Sequence, residues 1–243
     1  MQDARTPEEP QRLSKVVMAV RNCSRREAEQ YIAEGWVRVD GQLVEEPQVR
    51  VTAAQRVEVD PQARLQPAVP VTLLLHKPAG MGTGEAQDLL GAATRWSGDV
   101  TGISRVKSHG LGLKTLLALP APASGLTVFS QDGRIVRKLT EDAALVEQEL
   151  LADVVGTLAP DGLARLGAGL KHEGKALPPA RVSWQSEGRL RFAVKGIAPD
   201  WIPWMCAQVG LELTALRRIR IGRVPMAGLP AGQWRYLPPG DRF

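Results

Sequence analysis

Cysteine and histidine are scarce in this chain of 243 residues. The two cysteines, Cys23 and Cys206, exclude a disulfide framework and lead us to expect a cytoplasmic protein. The three histidines, His76, His109 and His172, stand far apart and share no metal-ligand spacing. We therefore expect neither a structural disulfide nor a metal site.

Long apolar runs and nucleotide-binding motifs are missing as well. No apolar run approaches the ~20 residues of a membrane span, so we expect no membrane partner. The N-terminal stretch MQDARTPEEPQ is polar and acidic, which is not typical of a secretory signal. No G-x-G-x-x-G, P-loop or G-x-S-x-G stands between a predicted strand and a predicted helix. The sequence therefore predicts no small-molecule cofactor.

Positive charge is present in a modest surplus, and part of it is clustered. The net charge is +5, from 31 lysines and arginines against 26 acidic residues. LRRIRIGR (216–223) contains four arginines, and RNCSRR (21–26) contains three. Clusters of this kind are typical of nucleic-acid binding, although a solvated charged face is the alternative interpretation.

The first 60 residues predict a compact module after a polar tail at 1–10. One apolar helix face is formed by Leu13, Val16, Val17 and Val20. Ser24 and Glu27 have the spacing of a capping box for a second helix, which Gly35 should end. Asp40-Gly41 predicts a hairpin, and RVEVD a closing strand near Asp60. We therefore assign one module to 11–60.

The rest of the chain predicts a larger α+β body. Residues 61–71 contain three prolines and are typical of a linker. Residues 72–243 alternate strand and helix patterns, with strands at 126–130, 149–155, 189–195 and 211–221 and helices at 135–139 and from Ile202, which Asp200 would cap. Residues 81–116 show no assignable pattern. The fold class is α+β with a mixed, mainly antiparallel second domain.

The N-terminal module resembles the small RNA-binding domain named after the fourth protein of the small ribosomal subunit. RLSKVVMAV and SRREAEQYIAEGWVRVDG match its signature through both helices and the hairpin. The resemblance implies RNA binding, and the N-terminus of the second helix also attracts phosphate through its free N–H groups. The candidate RNA contacts are Arg12, Lys15, Arg21, Ser24, Arg25 and Arg26.

The body resembles the small-subunit and large-subunit pseudouridine synthases that carry this N-terminal domain. Four stretches match in order: HKPAG (76–80), SGLTVFSQDGRIVRKLT (124–140), LVEQELLADVVG (145–156) and LRRIRIGRVPMAGLPAGQWRYL (216–237). The resemblance implies a structured RNA partner, ribosomal RNA in particular. It adds Lys77, Arg217, Arg218, Arg220 and Arg223 as candidate RNA contacts.

The residues that perform the family's chemistry are replaced. The catalytic loop of the family reads G-R-L-D-x-x-T-x-G-L, whereas residues 117–126 read L-A-L-P-A-P-A-S-G-L. Pro120 therefore occupies the aspartate position and Ala118 the arginine position. Because the reaction requires a carboxylate at the target uridine, proline provides neither a nucleophile nor a base.

Two further positions have changed. The family reads E-K-x-Y where this chain has Glu147-Gln148-Glu149-Leu150, so Leu150 replaces the tyrosine that stacks on the base. The family's arginine-rich E-G-x-x-R-Q-V-R-R-M corresponds to GIAPDWIPWM (196–205), which has no cation and carries Pro203. Trp201 and Trp204 in this stretch either fill the vacated space or stack on RNA bases.

We interpret the chain as an RNA-binding protein on a pseudouridine synthase scaffold that has lost catalysis. We expect Pro120, Leu150, Trp201 and Trp204 to line one narrowed apolar cleft. One alternative is an active synthase with a displaced acid, for which Asp99 is the candidate because Asp132 lies in a structural turn. A third hypothesis is a ribosome assembly or protein-interaction factor.

Overall fold

A computed structural model describes residues 9–63, 65 and 69–243. Most of the predicted polar tail, and residues 64 and 66–68 of the predicted linker, lie outside this described part. The chain divides into two compact units. The first comprises the described residues of Met1–Val69 together with Arg105–Leu111, and the second comprises Pro70–Ser104 and Gly112–Phe243. Residues 105–111, which the sequence interpretation includes in 72–243, are thus grouped with the first unit.

The first unit contains two helices and five short strands. Helix α1 ends at Asn22, which adopts the left-handed conformation (φ 48°), and helix α2 begins after Ser24. The predicted capping box is present, since Ser24 and Glu27 exchange backbone-to-side-chain hydrogen bonds of 2.8 and 3.3 Å. The elements are β1 (Gln11–Arg12), α1 (Leu13–Arg21), α2 (Arg25–Ala33), β2 (Val37–Val39), β3 (Gln42–Leu43), β4 (Arg50–Val51) and β5 (Val57–Val59).

The strands of the first unit pair antiparallel in two small sheets, β3-β2-β5 and β1-β4. Asp40 and Gly41 join β2 to β3 with φ values of 51° and 80°, as a type I′ turn requires, so the predicted hairpin is confirmed. Both helices pack one apolar face onto the strands. The buried cluster consists of Leu13, Val17, Ala28, Ile32, Val37, Val39 and Val51.

The second unit is built on a mixed nine-stranded sheet. Its elements are β6 (Thr72–Lys77), α3 (Thr83–Ala86), β7 (Lys114–Leu116), β8 (Ser124–Ser130), α4 (Gly133–Thr140), β9 (Gln148–Gly156), α5 (Gly162–Ala168), β10 (Lys171–His172), β11 (Lys175–Ala176), β12 (Arg181–Ser186), β13 (Arg189–Val194), α6 (Ile202–Ala207), β14 (Leu211–Ile221), β15 (Val224–Pro225) and β16 (Trp234–Tyr236). The unassigned stretch 81–116 thus contains α3, β7 and two 3₁₀ turns in addition to irregular chain.

The main sheet has the strand order β12-β13-β9-β14-β8-β6-β16. Strands β14 and β8 are parallel, the other neighbours in this order are antiparallel, and β7 and β15 pair with β8 and β14. The hairpin β10-β11 is separate. The observed class is α+β, as predicted. The parallel pairing brings the end of the loop before β8 next to β14.

The start of helix α6 differs from the sequence interpretation. Asp200 does not cap α6, because a 3₁₀ turn at Pro199–Trp201 precedes the helix and no side chain caps it. Helices α1 and α2, with nine residues each, are the longest in the described part of the chain, and none there could cross a membrane.

Candidate functional site

The loop between β7 and β8, where the resemblance locates the catalytic acid, is held by bonds to its backbone. Lys77 is fully buried and its Nζ donates to the carbonyls of Pro78 (3.0 Å), Met81 (2.6 Å) and Ala121 (3.3 Å). The hydroxyl of Thr83 donates to the Leu119 carbonyl at 2.9 Å. Since none of these bonds uses the side chain at 120, the loop is anchored without an acid at that position.

Arg218 of β14 anchors the same loop from the sheet. Its fully buried guanidinium donates to the carbonyls of Leu117 and Leu126 and, at 2.8 Å, to the side-chain oxygen of Gln148. Burial lowers the pKa of Arg218 to about 9. Its partners are neutral, so hydrogen bonds alone compensate the desolvation of this charge.

Gly125 allows β8 to approach β14 at this point. It pairs with Arg218 in the parallel register and has φ 113°. A Cβ at this position would lie 2.2 Å from the Arg218 carbonyl oxygen. Only glycine therefore permits the approach that brings the loop, β8 and the buried guanidinium together.

A pocket of about 350 Å³ opens beside this anchor. It brings together the Ala118 position of the loop, Gln148 of β9, Arg218 and the chain before α6. Asp200 is the one carboxylate among the described residues that line it. The lining residues are Leu117, Ala118, Ala143, Ala144, Gln148, Gly196, Ile197, Ala198, Pro199, Asp200 and Arg218.

None of the four residues predicted to line one cleft, Pro120, Leu150, Trp201 and Trp204, lines this pocket, and the last three pack in a single apolar cluster. Leu150 of β9 is fully buried and packs among apolar core side chains, although its partner on β14 is Arg218. The half-buried Pro120 takes part in a turn in which the Ala123 N–H donates to its carbonyl at 3.0 Å. The pocket is lined instead by small and apolar residues together with Gln148, Asp200 and Arg218.

The stretch that replaces the family's arginines supplies no cation, as the sequence indicates. Pro203 is exposed in the first turn of α6. Trp201 and Trp204 are half-buried and contact each other and His172, with ring centroids 5.8, 4.7 and 4.8 Å apart. The aromatic side chains therefore form a cluster with the β10-β11 hairpin, which the sequence pattern does not predict.

Asp99, the acid considered for displaced catalysis, has a structural environment. Its carboxylate accepts hydrogen bonds from Thr101, from the Tyr236 N–H at 3.2 Å and from Arg95. Burial raises its pKa, but these hydrogen bonds outweigh that effect and hold the pKa below its usual range. Its partner strand β16 is three strands from β14, roughly 14 Å at the usual spacing.

Asp132 is structural too, since it caps α4 by accepting from the Arg134 N–H at 2.8 Å. Among the described residues, no group of three histidine, cysteine or acidic side chains could hold a metal ion.

Asp200 is the carboxylate that does reach the pocket, and it lies in the 3₁₀ turn Pro199–Trp201 that precedes α6. Sequence reasoning, which assigns Asp200 to a helix cap, does not find this position.

The candidate RNA contacts of the first unit differ in exposure. Arg12, Lys15, Arg25 and Arg26 are exposed, and Arg25 forms an ion pair of 2.8 Å with the next helical turn. Arg21 is half-buried, donates to the Ala63 carbonyl at 3.0 Å and lies over the ring of Tyr31. The Ser24 hydroxyl is engaged in the helix cap.

The arginine cluster of β14 is less accessible than its sequence indicates. Arg218 and Lys77 are fully buried and donate to protein acceptors, which argues against the predicted RNA contacts of these two side chains. Arg220 pairs with Glu147 (2.6 Å) and Glu149 (2.7 Å), while Arg217 is half-buried and Arg223 is exposed. Further ion pairs across the sheet join Arg181 to Glu147, Arg191 to Glu149 and Arg189 to Asp153.

Comparison with known proteins agrees with both halves of the resemblance. Residues 11–57 match the S4 domain. The chain is 27% identical over 237 residues to the ribosomal large subunit pseudouridine synthase B of Bacillus subtilis, covering 95% of this chain and 93% of that protein. It is 26% identical over 229 residues to the dual-specificity RNA pseudouridine synthase RluF of Salmonella typhi, covering 93% and 75%.

A chloroplast protein and a crystal structure extend the comparison. The chain is 28% identical over 231 residues to the putative ribosomal large subunit pseudouridine synthase SVR1 of Arabidopsis thaliana, covering 88% of this chain and 55% of that protein. The crystal structure of a pseudouridylate synthase superposes with a TM-score of 0.58 at 18% identity, covering 93% and 95%, which shows the fold. The chain therefore carries an S4 domain at residues 11–57, has the fold of a pseudouridylate synthase, and is similar over most of its length to large-subunit and dual-specificity RNA pseudouridine synthases.

Proposed function

We propose that this protein binds structured RNA, ribosomal RNA in particular, and does not convert uridine to pseudouridine. One observation carries the proposal: the loop that the resemblance assigns to the catalytic acid is anchored by Lys77, Thr83 and Arg218, but presents Pro120 and Ala118. The loop is anchored on both sides, and neither of these two side chains can act as an acid or a base.

RNA binding is supported by the exposed basic residues of the S4 domain and by the names of the relatives, which describe enzymes acting on RNA. Arg12, Lys15, Arg25 and Arg26 present four positive side chains to solvent. Phosphate contacts of this kind provide affinity and orientation with little sequence readout. The S4 domain therefore supplies most of the affinity for RNA, and the second unit contributes a surface that fits the shape of the RNA.

Lack of catalysis follows from the chemistry of the reaction. Detaching a base and rejoining it through another atom requires a flipped nucleotide, a positioned carboxylate and a group that keeps this carboxylate charged. Pro120 supplies no carboxylate, Leu150 faces the core, and the 196–205 stretch holds no cation. Each of the three requirements is unmet at its family position.

The decisive experiment exposes total RNA from a strain lacking the corresponding active synthases to the purified protein. Pseudouridine is then measured by mass spectrometry and by carbodiimide-dependent primer stops, with a homologous active enzyme as positive control. We expect RNA to be retained by the protein and pseudouridine to stay at the level of untreated RNA. An increase above that level contradicts the absence of catalysis.

A second candidate function, an active synthase with a displaced acid, has one specific observation in its favour. Asp200 lines the same pocket as Ala118, Gln148 and Arg218. A carboxylate from the chain before α6 would then act in place of one from the loop. If turnover is observed, Asp200→Asn should abolish it. Asp99→Asn should not, because Asp99 is hydrogen-bonded to β16, which lies three strands away from β14 in the sheet.

A further inference from the structure

Three aromatic side chains form a cluster on the surface of the second unit. Trp201 and Trp204 lie with their centroids 5.8 Å apart at 83°, and His172 lies 4.7 Å from one and 4.8 Å from the other. Each pair has an edge-to-face arrangement, which is favourable between aromatic rings. We call these three residues the aromatic cluster.

The hairpin that carries His172 has a tight two-residue turn. Glu173 and Gly174 have φ values of 47° and 78°, so β10 and β11 are joined by a two-residue turn of the I′ type. At the hairpin base, a Cβ on Gly169 would lie 2.3 Å from the Leu177 carbonyl oxygen, and the Leu177 N–H donates to the Leu170 carbonyl at 2.8 Å. This hairpin places the imidazole of His172 against the rings of Trp201 and Trp204.

The two tryptophans are only partly used by the core. Their neighbours Ile202, Met205 and Cys206 are buried, whereas Trp201 and Trp204 are half-buried and pack at the margin of the same cluster. An aromatic ring in this position stabilises the fold with one part of its surface. The remaining part faces solvent.

The indole nitrogens support this description. Fully buried Trp234 donates its Nε1–H to the Gly91 carbonyl at 2.7 Å. Within the described part of the chain, neither Trp201 nor Trp204 donates to a protein acceptor, and neither nitrogen is buried without a partner. Because a buried indole normally finds an acceptor, these two N–H groups remain accessible to water or to a ligand.

The hairpin beside the cluster carries two lysines and one glutamate. Lys171 and Lys175 are exposed on the hairpin, and no carboxylate of the described residues lies within ion-pair distance of either. Glu173 is 86% exposed at the turn, where its side chain is 3.9 Å from His172. An apolar partner would not require two unpaired lysines, whereas a nucleic-acid strand offers bases to the rings and phosphates to the lysines.

We propose that the aromatic cluster is a stacking platform for unpaired bases of RNA, with Lys171 and Lys175 contacting the adjoining phosphates. The inference rests on the proposed RNA-binding function. It specifies which kind of RNA segment the second unit binds. Stacking on a ring face is tolerant of sequence, because every base has an aromatic face. The platform therefore selects single-stranded over duplex segments.

The test compares the full-length protein with Trp204→Ala and His172→Ala. Affinities are measured for a ten-nucleotide uridine oligomer and for a duplex of the same length over a range of salt concentrations. We expect each variant to bind the oligomer about tenfold more weakly, with an unchanged salt slope and unchanged duplex affinity. Trp184→Ala is the matched control, because this tryptophan is also exposed (43%) but lies on edge strand β12.

A second measurement avoids dependence on the stability of the variants. The unaltered protein is photo-crosslinked to a 5-bromouridine oligomer, and the modified peptides are mapped by mass spectrometry. We expect cross-links within 171–176 or 199–207. Cross-links confined to other segments, or equal losses for Trp184→Ala and Trp204→Ala, overturn the platform while leaving RNA binding intact. Failure of the unaltered protein to bind any RNA overturns both proposals.

Discussion

The Nη1 group of Arg218 donates a hydrogen bond of 2.8 Å to the side-chain oxygen of Gln148. A buried guanidinium usually meets a carboxylate, but here its partners are a neutral amide and two backbone carbonyls. The resemblance assigns a lysine to position 148 in the family, so glutamine removes a second positive charge beside the first. Arg218 and Gln148 therefore stabilise the loop before β8 and do not orient a catalytic carboxylate.

Replacing Arg218 by methionine should destabilise the second unit strongly. The carbonyls of Leu117 and Leu126 and the Gln148 amide would each lose a donor, at about 1–3 kcal/mol for a buried unsatisfied group. We expect the free energy of unfolding in urea to fall by about 3 kcal/mol or more. Arg223→Met, at an exposed arginine, should change it by less than about 0.5 kcal/mol. Equal effects of the two substitutions would refute a structural role for the buried guanidinium.

Gly125→Ala should be equally damaging for a different reason. The added Cβ would meet the Arg218 carbonyl at 2.2 Å, at a backbone φ of 113°. We expect a loss of roughly 3 kcal/mol or more, because strain and a backbone clash are combined. Gly228→Ala, with φ 77° but nothing within 4 Å, isolates the strain alone and should cost about 1 kcal/mol. Thermal unfolding of both variants distinguishes the two contributions.

Asp99→Asn should lower stability in a pH-dependent manner. Although burial opposes it, the hydrogen bonds from Thr101, Tyr236 and Arg95 leave the folded-state pKa below its usual value. A lowered carboxyl pKa contributes stability above the unfolded pKa of about 4, and that contribution is lost as pH falls through the folded value. We therefore expect a deficit of about 2 kcal/mol at pH 7 that narrows below about pH 4. A deficit that is constant down to pH 2 would contradict this assignment.

Neutralising Arg25 and Arg26 together should weaken RNA binding and reduce its salt dependence. The log–log salt slope falls by about one unit for each RNA phosphate that a side chain no longer neutralises. The matched control is Arg134→Ala with Arg137→Ala, which removes the same net charge from exposed positions on α4. We expect the S4 double variant to bind less tightly than the α4 variant at every salt concentration. Identical slopes for the two would remove α2 from the RNA-binding surface.

Pro120→Asp alone should not create a pseudouridine synthase. The nearby buried cations, Lys77 and Arg218, already donate to carbonyls and Gln148, and α6 carries no arginine or lysine. A new carboxylate would have no dedicated partner to keep it charged and oriented. Mass spectrometry of RNA treated with this variant should detect no pseudouridine above the untreated level. Adding Leu150→Tyr would enlarge a fully buried side chain and should cost about 1–3 kcal/mol of stability.

Much of the local structure follows from the sequence alone. The Ser24–Glu27 capping box, the Asp40-Gly41 turn and the strictly alternating strand near 189–195 are determined by short-range chemistry, and each is present. The order of matching motifs likewise predicts the α+β class and the S4 domain. The assignment of Pro120 to the family's aspartate position rests on the sequence motif alone.

The tertiary structure decided which of those residues meet. Arg217, Arg218 and Arg220 are neighbours in one cluster of the sequence, yet alternation and register bury Arg218, join Arg220 to two glutamates and leave Arg217 half-exposed. Asp99 and Asp200 are both plausible acids by residue type, but strand order separates one from the pocket and brings the other to its wall. Composition and periodicity specify elements, whereas burial, pairing and proximity depend on how distant strands pack, which no local pattern encodes.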